Sequence, residues 1–324
     1  GMTLGYIGQP RDSMNEVWGR GRTLLLPGFA VAGIGGLIQV GAGFGWLPPV
    51  RTGSYGMLFL MLCVSLFLAR HWTRTEADNV RKTAELEEAR DLQLSLLPES
   101  PPQVEGLEFH FEMRTATEVG GDYYDHVEDP EQGLPAVVAL GDATGHGSQA
   151  GMVVMATKGL FQTALADPDA GATLDRLSRA LHGMRLERRN MALAVARFDC
   201  ADECELAAAG MPPVFVHRAA DDAVEEVLLG APPLGTMRSH RYASRRLTLA
   251  PGDILLAMSD GLGEALDARG EPLGYEALAE RLSEVAGRPL DEIAAAVFAA
   301  ASTWSGGAAP ADDQTVVLIR RVPA

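Results

Sequence analysis

Two long apolar stretches lie near the start of the chain. Residues Thr23 to Leu47 and Ser54 to Ala69 contain no charged side chain, and each stretch approaches the roughly 20 residues that cross a bilayer as a helix. Cationic residues flank the pair on its outer sides: Arg11, Arg20, Arg22, Arg70, Arg74, Arg81 and Lys82. Because cytoplasmic flanks of membrane helices are enriched in Lys and Arg, the pattern predicts a transmembrane hairpin with both ends in the cytoplasm. Two buried core helices of a soluble protein are the alternative.

A charged helix is predicted directly after this hairpin. From Thr75 to Leu97 the sequence has neither Gly nor Pro, and apolar residues recur at helical spacing until Pro98 ends the run. The run covers about three heptads, so it fits either a dimeric coiled coil or a solvated linker helix. We expect a homodimer through this helix. The predicted organisation is a membrane segment (1–74), a linker helix (75–98) and a larger domain (99–324).

Strand and helix patterns are mixed beyond Gly106. Alternating or short apolar runs predict strands at Leu107–Arg114, Ala136–Leu140, Met191–Phe198, Glu203–Ala208, Val214–His217, Tyr242–Leu249, Ile254–Met258 and Gln314–Arg321. Helical spacing predicts helices at Gly151–Leu165, Thr173–Arg185, Tyr275–Val285 and Leu290–Ser302. Consecutive strands joined by short turns indicate a largely antiparallel sheet, and segregated helices indicate an α+β layered sandwich.

Charge narrows the range of partners. The formal net charge is −16, but the part up to Lys82 holds 8 Lys+Arg and 4 Asp+Glu, whereas the remainder holds 19 and 39. Because binding to a phosphate backbone depends on cationic residues, the acidic domain is not expected to bind nucleic acid. The three cysteines, Cys63, Cys200 and Cys204, are too few for a disulfide framework or a four-ligand zinc site. They indicate reduced thiols in a cytosolic compartment.

Four aspartates at predicted strand ends are candidates for chemistry: Asp122, Asp142, Asp260 and Asp312. Each lies beside glycine or a second acid, and glycine lets a backbone carbonyl approach an ion closely. Carboxylates and carbonyls without sulfur or a histidine cluster favour hard divalent ions such as Mg²⁺ or Mn²⁺ over zinc. Hard ions in turn suggest phosphate chemistry. An isolated Asp-Gly pair is more often a plain turn, so the order of the four motifs together carries this prediction.

The ordered motifs resemble those of bacterial SpoIIE/RsbU-type phosphatases of the PP2C (PPM) class. The residues that carry the resemblance are Val119–Asp125, Gly141-Asp142 with Gly145-His146-Gly147, Ser259–Ala265 and Asp312–Thr315. Further matches are Leu92-Gln93, Ser95–Pro98, Ala209–Pro213, Pro232–Gly235 and Pro251–Asp253. The resemblance covers residues 90 to 321 and implies an α/β/β/α sandwich of two antiparallel sheets flanked by helices.

The resemblance also implies a centre of two divalent metal ions, Mn²⁺ or Mg²⁺. By motif matching, Asp142 bridges both ions, the Ala143 carbonyl completes one site, and Asp260 and Asp312 form the other. Asp122 holds a water of this site. Asp313 is an alternative ligand to Asp312. Two such ions activate a shared water and neutralise the phosphoryl oxygens during in-line attack.

Three further positions have open roles. His146 either protonates the leaving serine oxygen or stabilises its turn. Met211 stands where the family commonly has histidine, and a thioether does not hydrogen-bond as an imidazole does. Arg114, which we place on the same strand as Asp122, is a candidate phosphate ligand, although a solvated or salt-bridged arginine is the stronger expectation.

The resemblance implies a membrane-tethered protein serine/threonine phosphatase whose substrate is a phosphorylated protein of the anti-sigma-factor antagonist type. The expected location is the inner (cytoplasmic) membrane, with the phosphatase domain in the cytoplasm. The apolar hairpin itself resembles the last helices of a seven-helix signalling module, which makes the chain the carboxy-terminal part of a larger receptor. A catalytically silent docking module is the alternative function. A metal-dependent nucleotide enzyme ranks last, because the sequence has no Gly-rich phosphate loop with its lysine.

Overall fold

Two long helices form the first part of the chain. α1 (Arg11–Gly43) and α2 (Gly53–Ser95) contain apolar windows at Leu25–Gly43 and Tyr55–Ala77, with mean hydropathies of 1.7 and 1.5. Only 17% and 11% of these windows is buried, whereas a core helix of a soluble protein is mostly buried. Both helices are therefore long and apolar enough to cross a membrane.

Small residues let the two helices approach closely. A Cβ on Gly56 would lie 3.0 Å from the Cα of Ala32, and a Cβ on Gly28 would lie 3.1 Å from the Cβ of Cys63. Close packing at small residues is typical of helix pairs in membranes.

The computed structural model describes residues 11–48, 53–95, 97–116, 120–129, 131, 135–145, 147–185 and 189–323. It divides into two units, Gly1–Ala84 and Glu85–Ala324. The predicted charged helix is the second half of α2, which runs without a break from the apolar window to Ser95. The boundaries predicted at residues 74 and 98 stay predictions.

Two five-stranded antiparallel sheets form the second unit. Sheet one has the order β1 (Leu107–Arg114), β10 (Gln314–Arg321), β9 (Ile254–Met258), β6 (Val214–Arg218) and β7 (Ala223–Val227). Sheet two has the order β2 (Asp122–Glu128), β3 (Ala136–Ala143), β4 (Met191–Cys200), β5 (Glu203–Ala209) and β8 (Ser244–Thr248).

Helices cover the outer face of each sheet. α3 (Ser148–Phe161) and α4 (Ala170–Met184) pack on sheet two, and α6 (Tyr275–Val285) and α7 (Leu290–Trp304) pack on sheet one. A further short helix, α5 (Asp260–Gly263), follows β9 directly.

Three apolar clusters fill the spaces between these layers. One lies between the sheets and includes Phe109 and Ile319 from sheet one and Leu140 from sheet two. The second joins α4 to sheet two, and the third joins α6 and α7 to sheet one. All three lie within the second unit, which therefore has its own core, and the predicted α/β/β/α sandwich is confirmed.

Two strands were not predicted. β2 has the sequence Asp-Tyr-Tyr-Asp-His-Val-Glu, in which polar residues interrupt the alternation, and β7 has only five residues. Both are strands because a neighbour pairs with them, which is the tertiary contribution to β-structure. The placement of Arg114 and Asp122 on one strand is wrong: Arg114 ends β1 in sheet one, and Asp122 begins β2 in sheet two.

Candidate metal centre

The first two predicted ligands face each other across neighbouring strands. Asp122 begins β2 and is paired directly with Asp142 on β3. Directly opposed residues of antiparallel strands have Cβ atoms about 5 Å apart, and like charges in these positions are destabilising. A proton or a cation is needed to relieve this repulsion.

Gly121 leaves a small space that is lined with oxygen atoms. Its carbonyl accepts a hydrogen bond from the Ala143 N–H at 2.9 Å. A Cβ on Gly121 would lie 2.6 Å from the Ala143 carbonyl oxygen and 2.7 Å from Asp142 Oδ1. These two oxygens, both predicted ligands, therefore border one space that any side chain at position 121 would fill.

Asp260 is a predicted metal ligand that lies next to sheet one. It follows β9 and Ser259 and begins α5, and its Oδ1 is buried without a hydrogen-bond partner among the described residues. Burial raises the pKa of Asp260, and the charges of Glu264 and Asp312 raise it further. Because buried polar atoms in folded proteins are nearly always satisfied, this unpaired oxygen indicates a missing partner such as a cation.

The neighbouring acids Asp312 and Asp313 have different surroundings. Asp312 is exposed, and its Oδ1 accepts the N–H of Asp313 at 2.8 Å. Asp313 is buried, and its two oxygens accept the N–H groups of Ala116 and Gly121, each at 2.8 Å. Asp313 thus ties the loop before β2 to the start of β10, and this role favours Asp312 over Asp313 as a ligand.

Asp122 is held by a threonine that the sequence reasoning missed. Thr315 donates its hydroxyl to Asp122 Oδ2 at 2.5 Å, and this bond joins sheet two to sheet one. Burial raises the pKa of Asp122 well above its ordinary value, although the hydrogen bond from Thr315 opposes the shift. Thr315 belongs to the motif Asp312–Thr315, and its position in that motif was the available clue.

Asp142 lies at the centre of the acidic group. Burial raises its pKa to about 7, and the charges of Asp260, Asp312 and Asp313 act in the same direction. Four aspartates from three parts of the chain, Asp142, Asp260 and the adjacent Asp312 and Asp313, therefore lie close enough to interact electrostatically. Such a concentration of negative charge is typical of a cation site or another functional site.

The residues present fit hard divalent ions that keep several water ligands. Within the described residues, no three acidic, histidine or cysteine side chains are arranged to hold an ion by themselves. Oδ2 of Asp122 accepts the Thr315 hydroxyl, and both oxygens of Asp313 accept backbone N–H groups. Mg²⁺ commonly uses one or two carboxylates and completes its octahedron with water, so Asp142, Asp260, Asp312 and the Ala143 carbonyl form a suitable donor set.

His146 and Met211 are the other two positions whose roles the sequence left open. His146 is outside the described residues. Met211 is buried in the apolar cluster between the two sheets, so its side chain packs in the core.

Arg114 borders a groove beside the acidic group. Its guanidinium forms an ion pair with Glu112 at 2.8 Å and lies 3.9 Å from the ring centre of Phe298. The salt-bridged arginine expected from the sequence is therefore observed. The groove has a volume of about 820 Å³ and is also lined by Asp312, Leu266 and Phe298. Sequence reasoning missed this groove because its walls come from separate parts of the chain.

Comparison with known proteins identifies the family. A sequence profile described as Stage II sporulation protein E (SpoIIE) matches residues 135–322, more than half of the chain. The chain belongs to the SpoIIE family. Among curated proteins, none matches this SpoIIE-family sequence.

Solved structures similar to this SpoIIE-family chain have the same fold. The PP2C domain of SiaA from Pseudomonas aeruginosa is 23% identical, with a TM-score of 0.66 over 75% of this chain and 98% of that one. The RsbU and RsbW domains of a Mycobacterium tuberculosis protein are 25% identical, with a TM-score of 0.58 over 68% of this chain and 61% of that one. A structure of RsbX in complex with magnesium is 17% identical, with a TM-score of 0.52 over 67% and 96%. These likenesses show a PP2C fold.

Proposed function

We propose that this SpoIIE-family chain is a metal-dependent protein phosphatase that hydrolyses phosphoserine or phosphothreonine on a partner protein. The observation that carries the proposal is the buried, unpaired Oδ1 of Asp260 in the same acidic group as Asp142, whose pKa is raised to about 7. RsbX, which has a similar fold, has a structure in complex with magnesium, and this supports a divalent ion as the cofactor.

The proposed metal ligands come from both sheets. Asp142 and the Ala143 carbonyl bind from sheet two, and Asp260 and Asp312 bind from the ends of β9 and β10. When bound, two divalent ions acidify a water and neutralise charge on the phosphoryl oxygens. Asp122, whose Oδ2 is held by Thr315, would orient that water. Asp313 holds Gly121 in place, which keeps the space beside Asp142 open.

The groove beside Asp312 is the proposed site for the substrate segment around the phosphorylated residue. Its volume of about 820 Å³ lies in the usual range of ligand-binding clefts. By family resemblance, the substrate is a phosphorylated protein of the anti-sigma-factor antagonist type.

The two apolar helices are the proposed membrane anchor. Their length and exposure support two spans, and the flanking arginines support an inner-membrane location with the phosphatase in the cytoplasm. We also propose that the charged half of α2 mediates a homodimer. Light scattering of a detergent-solubilised chain that shows a fully active monomer would contradict the dimer.

Hydrolysis of p-nitrophenyl phosphate by the full chain in detergent, with and without Mn²⁺, tests the function. We expect Mn²⁺-dependent release of phosphate and a loss of about 100-fold or more in Asp142→Asn, since metal stabilisation of the transition state contributes several kcal/mol. The matched control is Asp199→Asn, an exposed aspartate that pairs with Arg197, and it should retain activity. A wild-type chain that binds a phosphoprotein but shows no Mn²⁺-dependent hydrolysis would support the silent docking module.

A further inference from the structure

A basic pocket lies on the surface between α4 and the connection from β7 to β8. Its volume is about 600 Å³, and it is lined by Arg179, His182, Gly183, Arg185, Arg238 and Ser239. Arg179 lies within α4 and Arg185 caps its C-terminus, whereas Arg238 comes from the connection. Residues far apart in the sequence therefore combine their positive charge in one place.

This concentration of positive charge is unusual for the domain. Residues 83–324 hold 39 acidic and 19 basic side chains, yet residues 228–243 contain two arginines, one histidine and no acid. Asp175 is the single acidic residue of α4, and its oxygens already accept hydrogen bonds from Arg241 and the Tyr242 N–H. Arg179 also lies 4.0 Å from Asp175, which it shares with Arg241. Within the described residues, no ion pair involves Arg185 or Arg238.

Helix capping explains only part of this arrangement. A cation near the C-terminus of a helix is favourable, and Arg185 stands at that end of α4. Arg238 is not part of the helix, and it faces the same pocket. The pocket therefore has arginines beyond those that the helix terminus requires.

The connection that forms one wall of the pocket also reaches the strand next to Ala143. Met191 on β4 pairs with Ala143 on β3 and also forms a bridge with Leu234. Because neighbouring strands lie about 4.8 Å apart, Leu234 is about 10 Å from Ala143. The next residue, Gly235, is fixed on α4, since its N–H donates to Ser178 and its carbonyl contacts His182 Nδ1 at 2.9 Å.

We propose that the basic pocket binds an acidic segment of the protein substrate. This inference rests on the proposed phosphatase function. Because the connection that holds Arg238 is paired with β4 next to Ala143, the acidic segment belongs to the same substrate chain as the phosphorylated serine or threonine. Arginine binds carboxylates with two parallel hydrogen bonds, and the spread of the arginines over about 600 Å³ suits several carboxylates better than one phosphate group. Such a site gives an anionic substrate local attraction on an otherwise repulsive domain.

Direct binding tests the pocket without any catalysis. Fluorescence anisotropy of the full chain in detergent is measured with a labelled peptide of alternating glutamate and serine, and with a peptide in which glutamine replaces glutamate. We expect the glutamate peptide to bind more tightly, and the double variant Arg179→Gln/Arg238→Gln to weaken its binding about tenfold. Arg246→Gln, at an arginine 76% exposed on β8, is the charge-matched control and should bind like wild type.

Two results would overturn the inference. Equal affinity for the two peptides would show that the pocket does not recognise carboxylates. Complete displacement of the glutamate peptide by inorganic phosphate at equal concentration would show a simple oxyanion site. The single variant Arg238→Glu, at an exposed residue outside the α4 helix, repeats the test if the double variant unfolds.

Hydrolysis of matched phosphothreonine peptides separates this inference from the proposed function. Wild type should prefer a peptide with a glutamate run near the phosphothreonine over its glutamine counterpart, and the double variant should lose that preference through KM. Arginine-dependent binding without hydrolysis of any phosphopeptide refutes the phosphatase function and leaves the pocket established. Hydrolysis without preference for glutamate refutes the role of the pocket and leaves the phosphatase function established.

Discussion

Asp142→Asn should stabilise the metal-free domain while it removes the response to metal. The fragment 85–324 contains all three core clusters and is suitable for this measurement. In the absence of metal, Asp142 is a half-buried carboxylate close to Asp260, Asp312 and Asp313. An asparagine keeps the shape of the side chain and removes that charge.

The size of the expected change in stability follows from the raised pKa of Asp142. A rise from 3.8 to about 7 means that the folded domain binds a proton that the unfolded chain releases. The resulting stability is present at low pH and is lost as the pH rises through about 7, and it amounts to about 4 kcal/mol. At about pH 8 the variant should therefore be more stable than wild type by up to about 4 kcal/mol. At about pH 5, where Asp142 is largely protonated in the folded state, less than half of this gain should remain.

Urea unfolding at the two pH values, in EDTA and in Mn²⁺, measures these differences. Mn²⁺ should stabilise wild type, because a ligand that binds only the folded state adds to its stability. It should have little effect on the variant, which lacks the proposed ligand Asp142. The control is Asp253→Asn: Asp253 is buried and accepts hydrogen bonds from Arg218, Ala219 and Ala250. This variant should lose stability at both pH values. An Asp142→Asn domain no more stable than wild type in EDTA at the higher pH would refute the reasoning.

Three other changes have defined outcomes. Gly121→Ala should abolish Mn²⁺ activation of aryl phosphate hydrolysis, because its Cβ would lie within 2.7 Å of Asp142 Oδ1 and the Ala143 carbonyl oxygen; a normal Mn²⁺ titration would contradict this. Mn²⁺ affinity, measured by calorimetry, should fall as the pH drops below about 7, because the metal displaces the proton of Asp142; a flat profile would argue against Asp142 as a ligand. Leu177→Ala, in the fully buried interface of α4 and sheet two, should lower the free energy of unfolding in urea by about 2 to 5 kcal/mol. The stabilisation that Mn²⁺ adds should be the same as in wild type.

Local pattern determined most of the elements. β10 was predicted with its observed bounds, Gln314–Arg321, because eight residues with a long apolar run between turn residues have no good helical alternative. α4 begins earlier than predicted, at Ala170, because Asp169 caps it by accepting the Ala172 N–H at 2.7 Å. A cap of this kind depends on one residue, so it is easily missed in a periodic pattern.

The sequence by itself also determined which residue types form the candidate site, since oxygen donors beside glycine restrict the metals they suit. Only the tertiary structure decided how those donors are used. Asp312 and Asp313 are adjacent and chemically identical, and they differ because the N–H groups of Ala116 and Gly121 lie next to Asp313. The basic pocket likewise joins Arg179 to Arg238 across two elements. Contacts between distant segments depend on how sheets and helices pack, and a local pattern of residues does not contain that information.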